Sequence, residues 1–334
     1  MTRLSIVIPA VGSQQDVDNS LLSVLENRPD DCEIIVVHRP DYVDPYDLSD
    51  EVRFVISAAQ DLVGMVDCGL AASRGEFLHT LHSGIMVETG WADAALEIFQ
   101  SDRNVGSISP CCAVRAGDSR KSLLGIRFHP IWGRQLVVAS TRSRVESLAP
   151  TVAGPHMIVG FYRTSALRML GGWFAAYGAG ADGELAQRLQ KAGFHHRVAT
   201  KCQTGPIPKY ALSKPHGFHA ARVNAQLYRA FLRGRQGQGA WRYPAHVLAD
   251  VLRSCRSLAP ISTLAGHLAG WVTSASNPCS PQPSAVGGEA NASPHRPLVN
   301  DIRRDSIPAP HFAITAKNGS RLPSPNGGAS AAGR

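Results

Sequence analysis

Leu4-Ser5-Ile6-Val7-Ile8-Pro9, read together with Cys32-Glu33-Ile34-Ile35-Val36-Val37, decides the fold of this chain. Each is a short apolar run, and the first is stopped by proline. That is the pattern of a buried strand. Between them, within Asp16–Glu26, Val17, Leu21, Leu22, Val24 and Leu25 recur at helical spacing. Strand, helix and strand in close succession make a βαβ unit, whose two strands run parallel.

Working outward, Arg53–Ile56 reads as a third strand and Asp61–Ser73 as a second helix ending at Arg74-Gly75. Glu76–Leu81 reads as a fourth strand. In open sheets of this kind, ligands bind beyond the carboxyl ends of the strands. Those ends fall at Pro9-Ala10, His38-Arg39 and His82-Ser83-Gly84.

Further along, Gly171–Phe194 is a glycine-rich turn, an acidic residue and a short amphipathic helix. Asp182 and Glu184 lie near the amino end of that helix, where negative charge is stabilised. Two roles are open to Asp182: a base held at the mouth of the helix, or an N-cap.

Taken in order, these blocks resemble the family 2 glycosyltransferases of the GT-A fold. The matching residues are Ser5–Pro9, Leu22-Ser23-Val24-Leu25, Glu33–Val37 and Gly69–Phe77, then Gly160-Phe161-Tyr162-Arg163, Gly171-Gly172-Trp173 and Gly180–Phe194. The agreement spans about residues 4–240. The resemblance implies a mixed α/β sheet with a Rossmann-like nucleotide-binding half, followed by a helical C-terminal extension. It also implies a nucleotide-sugar donor, a divalent metal such as manganese or magnesium, and inverting transfer to a hydroxyl of a glycan or lipid-linked acceptor. Asp182 falls where the family places its general base. The acidic neighbour of the family's pair is Ala181 here.

The donor side departs from the family pattern. His38 stands where the family has a carboxylate facing the nucleotide base, and His82-Ser83-Gly84 replaces the metal-binding Asp-X-Asp. Asp67, before Gly69, replaces an asparagine. The resemblance therefore assigns Pro9, Ala10, His38, Asp67, Arg74, His82, Ser83 and Gly84 to the donor side. Trp132, Trp173 and Glu184 are assigned to the acceptor side, with core packing as the other role of both tryptophans. Magnesium prefers oxygen ligands, whereas imidazole suits softer ions. His82, His216 and His219 are the candidates for such an ion. Arg39, Arg74, His82, His216 and His219 are the candidates for balancing a diphosphate without metal. Two functions remain: sugar transfer with Asp182 as base, or a degenerate GT-A fold that binds nucleotide or glycan, or partners an active transferase.

Composition bounds the rest. With 334 residues, 44% of them apolar, the chain can bury one large α/β domain. Lys and Arg total 34 against 26 acidic residues, a charge of +8, which suits phosphate-bearing ligands or anionic membranes. No nucleic-acid-binding motif appears, so nucleic acid is not expected as a partner. Seven cysteines without Cys-X-X-Cys suggest neither zinc nor a disulfide framework, and a reducing, cytoplasmic setting is expected. Ala220–Arg235 reads as a basic amphipathic helix, open to packing or to a membrane surface. Val247–Val272 reads as two short helices broken at Pro260, with peripheral membrane contact open to them. The expected domains are residues 1–215 (GT-A-like), 216–273 (helical extension) and 274–334, a Pro/Ser/Gly-rich tail expected to be disordered.

Overall fold

The computed structural model describes residues 2–116, 119–212, 217–233, 242–255 and 260–276. Leu4–Pro9 (β1) pairs in parallel with Cys32–His38 (β2), Leu4 opposite Cys32 and Pro9 opposite Val37. The helix between them, Gln14–Glu26 (α1), starts two residues earlier than its apolar spacing predicts. Ser13 and Asp16 form a reciprocal capping box that satisfies its first N–H groups. Val52–Ile56 (β3) adds in parallel to β2. Leu62–Ala72 (α2) begins at Asp61, whose carboxylate accepts the Gly64 N–H at 3.0 Å. Phe77–Leu81 (β4) then pairs in parallel with the other edge of β1.

Alternation explains why the early strands are apolar throughout. Ile6, Ile8, Ile34 and Val36 pack in one cluster with Val17, Leu21 and Val24 of α1. Val7, Ile35 and Val37 point the other way and pack in a second cluster with Val63, Met65, Val66 and Leu70 of α2. A sheet covered on both faces needs apolar residues at every position.

Downstream, the chain adds Asp93–Ser101 (α3), Val105–Ala116 (β5), Ser119–His129 (β6), Gly133–Ala139 (β7), Arg142–Leu148 (α4), Val159–Arg163 (β8), Thr164–Met169 (α5), Ala181–Lys191 (α6) and His195–Thr204 (β9). The sheet order is β3-β2-β1-β4-β8-β5-β6-β7, with β9 pairing on β5. β8 is antiparallel to β4 and to β5, so the sheet is mixed. Residues 123–128 and 135–139, whose sequence also reads as two strands, lie in the hairpin β6–β7. β5, β8 and β9 were not expected as strands. β5 is interrupted by Pro110 with a register shift beside it, and β9 alternates buried with exposed positions in its second half only.

Phe218–Arg233 (α7), Arg242–Ser254 (α8) and Pro260–Ser276 (α9) follow. The role of α7 resolves in favour of packing, because Ala221, Val223, Ala225, Leu227 and Tyr228 are buried. Pro260 opens α9, where the missing proline N–H costs nothing. The boundary expected at 273 falls inside α9, which runs to Ser276. His216 and residues 277–334 lie outside the described residues. Among the described residues, no helix is long and apolar enough to cross a membrane.

Candidate functional site

Three loops meet at the carboxyl ends of β2, β1 and β4. The Val11 N–H donates to Ser83 Oγ at 3.3 Å, and that hydroxyl donates back to the Val11 carbonyl. The Gly84 N–H lies 2.9 Å from the Asp16 carbonyl and 2.7 Å from Ser20 Oγ. The loop after β4 is thereby stitched to α1. Gly84 has φ +88°, and a side chain there would strike Pro208. His82 is buried, and its Nδ1 donates to the Ser83 carbonyl at 2.6 Å. Burial pushes the His82 ring below its ordinary pKa, against the opposing pull of that carbonyl and of Asp16. Tyr210 lies across this end of the sheet. Its ring is 5.7 Å from His82, and its hydroxyl donates to Asp16 Oδ2 at 3.0 Å. His38 is buried beside Tyr42 and Phe54, with ring centroids 5.0 and 6.0 Å away, and its Nδ1 donates to the Arg39 carbonyl at 2.8 Å.

Pro9, Ala10, His38, His82, Ser83 and Gly84 thus share one edge of the sheet. The other donor-side candidates do not join them. Arg74 precedes β4, at the opposite end of the strands, where its N–H donates to Glu33 Oε1. Asp67 Oδ1 accepts the Trp173 N–H at 3.2 Å and lies against Gly172, so it ties α2 to the turn before α6. Arg39 is exposed and pairs with Asp41 at 3.1 Å.

Asp182 occupies the first turn of α6. It is not the N-cap: that position is Gly180, and no side chain caps the helix. Its carboxylate is 1% exposed and fully engaged. Arg134 Nε donates to Oδ1 at 2.7 Å and Arg134 Nη2 to Oδ2 at 2.5 Å. The N–H groups of Gly183 and Met157 donate to Oδ1 at 2.6 Å and Oδ2 at 3.4 Å. His156 Nε2 stands 4.0 Å from Oδ2, and its Nδ1 accepts the Ile158 N–H at 3.3 Å. The neutral ring therefore carries its proton on Nε2, toward Asp182. Burial would push the Asp182 carboxyl up, but Arg134, His156 and the hydrogen bonds hold it below its ordinary value. Burial is also the main reason that His156 is pushed down to about 4.

Neither Arg134 nor His156 was a candidate from sequence. Arg134 sits at the start of β7 and His156 before β8, outside every motif block. The charge of Asp182 partly offsets the burial of His156, while those of Arg134 and His82 add to it.

On the acceptor side, Trp173 is 3% exposed and packs edge-on to Tyr162 at 5.0 Å. It belongs to the core and not to an acceptor wall. Glu184 is buried and accepts from Arg188 Nε at 2.6 Å. Trp132 is 42% exposed at the tip of the β6–β7 hairpin, with the Arg253 guanidinium 5.2 Å from its ring. The same tip is docked on the C-terminal helices: Tyr228 Oη donates to the Pro130 carbonyl, and His246 Nδ1 donates to that of Ile131 at 2.8 Å. His219 lies in the first turn of α7, with its ring against Phe218.

A hard divalent ion needs several oxygen ligands. The donor edge offers Asp16, already bonded to Ser13 and Tyr210, and His82, whose Nδ1 is committed to Ser83. Among the described residues, no group of three or more His, Cys, Asp or Glu is placed to hold a metal. These residues do not fit a hard divalent ion.

No protein-family model and no curated protein matches the chain. Solved structures do. A crystal structure of GalNAc-T7 with UDP, GalNAc and Mn2+ is 13% identical with a TM-score of 0.52, covering 69% of this chain and 48% of that one. This chain thus spans about half the length of that protein. The mannosyltransferase PcManGT from Pyrobaculum calidifontis, in complex with GDP-Man and Mn2+, is 16% identical with a TM-score of 0.46, covering 84% of this chain and 76% of that one. The architecture is that of the GT-A glycosyltransferases, a mixed α/β sheet with a Rossmann-like half.

Proposed function

We propose that this protein is a catalytically degenerate member of the GT-A fold that binds a nucleotide diphosphate, its sugar conjugate or a glycan at the carboxyl ends of β1, β2 and β4. One observation carries the reading: the carboxylate in the base position, Asp182, is buried and has both oxygens occupied by Arg134 and backbone N–H groups. A general base needs a free lone pair within reach of the proton it takes and a pKa near the working pH. Asp182 has neither in this arrangement. The end of β4 supports the same reading, since a buried imidazole and a hydroxyl committed to Val11 replace the expected carboxylates.

A second reading, inverting transfer with Asp182 as base, is favoured by the place of that residue in the first turn of α6. In that reaction the carboxylate takes the acceptor hydroxyl proton and the hydroxyl oxygen bonds to the anomeric carbon. The bond from that carbon to the diphosphate oxygen breaks, and the electron pair leaves with the diphosphate. It requires Arg134, 17% exposed and carried on the hairpin, to withdraw.

The test is calorimetric titration of the full chain with UDP, GDP and dTDP, each with manganese and with chelator, alongside a hydrolysis and transfer assay on the matching sugar conjugates. Binding of one nucleotide unaffected by chelator, with no turnover, supports the binding role. Turnover abolished by Asp182→Asn establishes the transferase instead. Failure of all three nucleotides to bind overturns the donor site in both readings.

A further inference from the structure

The hairpin that carries Arg134 is held down from outside the sheet. β7 is the last strand in the sheet order, and among the described strands it pairs with β6 alone. The tip of the hairpin is fixed by α7 and α8 instead. Tyr228 Oη donates to the Pro130 carbonyl, and His246 Nδ1 donates to that of Ile131 at 2.8 Å. The two donors come from different helices, and their rings stack 4.1 Å apart at 6°, so each fixes the direction of the other. Gly133, the residue before Arg134, has φ +63°, and a side chain there would strike the His246 ring. Phe128, opposite Arg134 in the hairpin, stacks on Phe231 of α7 at 5.4 Å.

The same helix α7 is anchored to α6. Gln187 Nε2 donates to the Leu227 carbonyl at 3.2 Å, and a side chain at Gly180 would strike Val223 and Leu227. Through the adjacent residues Leu227 and Tyr228, α7 therefore ties α6 to the hairpin tip. Where hairpin and α6 meet stands Gly183, next to Asp182. A Cβ at Gly183 would lie 3.2 Å from Arg134 Cδ and 3.3 Å from Phe128 Cζ, so a bare backbone lets the hairpin approach closely enough for Arg134 to reach the carboxylate. The N–H groups of Gly183 and Met157 belong to the backbone around Asp182. Arg134 arrives on an element that the C-terminal helices hold in place.

We propose that Tyr228 and His246 are positioning residues that latch the β6–β7 hairpin, and Arg134 with it, over Asp182, so that the helical extension controls access to the carboxylate. Latched, both carboxylate oxygens are occupied. Unlatched, the hairpin tip lifts, Arg134 leaves with it, and each oxygen keeps one backbone N–H. Segments held by a few contacts open locally, at less cost than global unfolding. The latch rests on the reading of Asp182 as the residue whose occupancy sets the function, and it names what keeps that residue occupied.

The experiment is carboxyl footprinting of the full chain with a water-soluble carbodiimide and an amine, read by mass spectrometry at Asp182 and Glu184. Glu184 is the internal control, because it is buried in the same helix and bonded by Arg188 rather than by the hairpin. Both residues are expected to be protected in the parent. The double variant Tyr228→Phe/His246→Leu is expected to raise the labelling rate of Asp182 roughly tenfold or more, the factor set by the hydrogen bonds lost, with Glu184 still protected. His246→Asn, which keeps an N–H donor near the place of Nδ1, should label less than His246→Leu. Where the double variant unfolds, Tyr228→Phe alone, which removes a single oxygen, serves the same purpose. Asp182 as well protected in these variants as in the parent overturns the latch. So does labelling of Asp182 and Glu184 together, which would mean that α6 itself opens. Titration of the same samples with UDP, GDP and dTDP reads the donor edge, so the latch and the nucleotide site fail separately.

Discussion

Arg134 grips Asp182 with one edge of its guanidinium, Nε on one oxygen and Nη2 on the other, at 2.7 and 2.5 Å. The aspartate is nearly inaccessible and the arginine is partly exposed. Removing one partner leaves the other without its counter-charge, which for a buried pair costs about 3–5 kcal/mol. Arg134→Met and Asp182→Asn should each lower stability in urea by about that amount. The double variant should lose less than the sum of the two. Additive losses would show that the two charges do not act as a pair. Because the folded-state carboxyl is held below its ordinary value, its contribution is present above the unfolded pKa. It is lost only as pH falls through the lower folded value.

Histidine governs a milder acid range. Burial pushes His156 and His246 down to about 4, and His79 and His196 down to about 3. The unfolded chain takes up these protons near the ordinary histidine value of 6.5, while the folded chain refuses them. Stability should therefore be full above pH 6.5 and fall as pH drops from there toward about 4, by up to about 1.4 kcal/mol per pH unit for each such ring. Urea midpoints measured across that window check this. A flat profile would mean that the rings are charged in the fold or that the fold opens locally to protonate them. His196 sits between Ser107 Oγ at 3.0 Å and Ser109 Oγ at 3.2 Å, so His196→Gln should flatten the profile by one ring.

The turn before α6 depends on a missing side chain. Gly172 has φ +68°, and a Cβ there would collide with Asp67 Oδ1. Gly172→Ala should destabilise by more than about 1 kcal/mol, through backbone strain and the displaced Asp67–Trp173 bond. In an Asp67→Ala background, where the bond and the collision are both already gone, Gly172→Ala should cost only the backbone strain, as thermal unfolding of the single and double variants will show. No cost in that background would mean that strain at Gly172 contributes nothing.

The two tryptophans should separate cleanly. Trp173→Ala removes a buried side chain packed on Tyr162 and should cost about 3–5 kcal/mol. Trp132→Ala, at the exposed hairpin tip, should cost less than about 1 kcal/mol. A quench of Trp132 fluorescence by oligosaccharide would then assign it to glycan contact. Absence of any quench leaves it to Arg253 alone.

Much of this was legible from the chain itself. The unbroken apolar runs of β1 and β2 and the 3.6-residue spacing of α1 gave the parallel half of the sheet, because a strand covered on both faces and a helix covered on one leave different periodicities. The glycine-rich turn located α6 and put Asp182 in its first turn. β5, β8 and β9 were harder to read, since pairing partners and not local spacing hold an interrupted strand such as β5 in place. Tertiary structure alone decided what surrounds Asp182. Arg134 lies 48 residues earlier in the chain and His156 comes from the loop before β8, and only the packing of the β6–β7 hairpin and of that loop against α6 brings them to the carboxylate. Periodicity records which face of an element is buried. It does not record which charge from a distant element will fill the space beside a given oxygen.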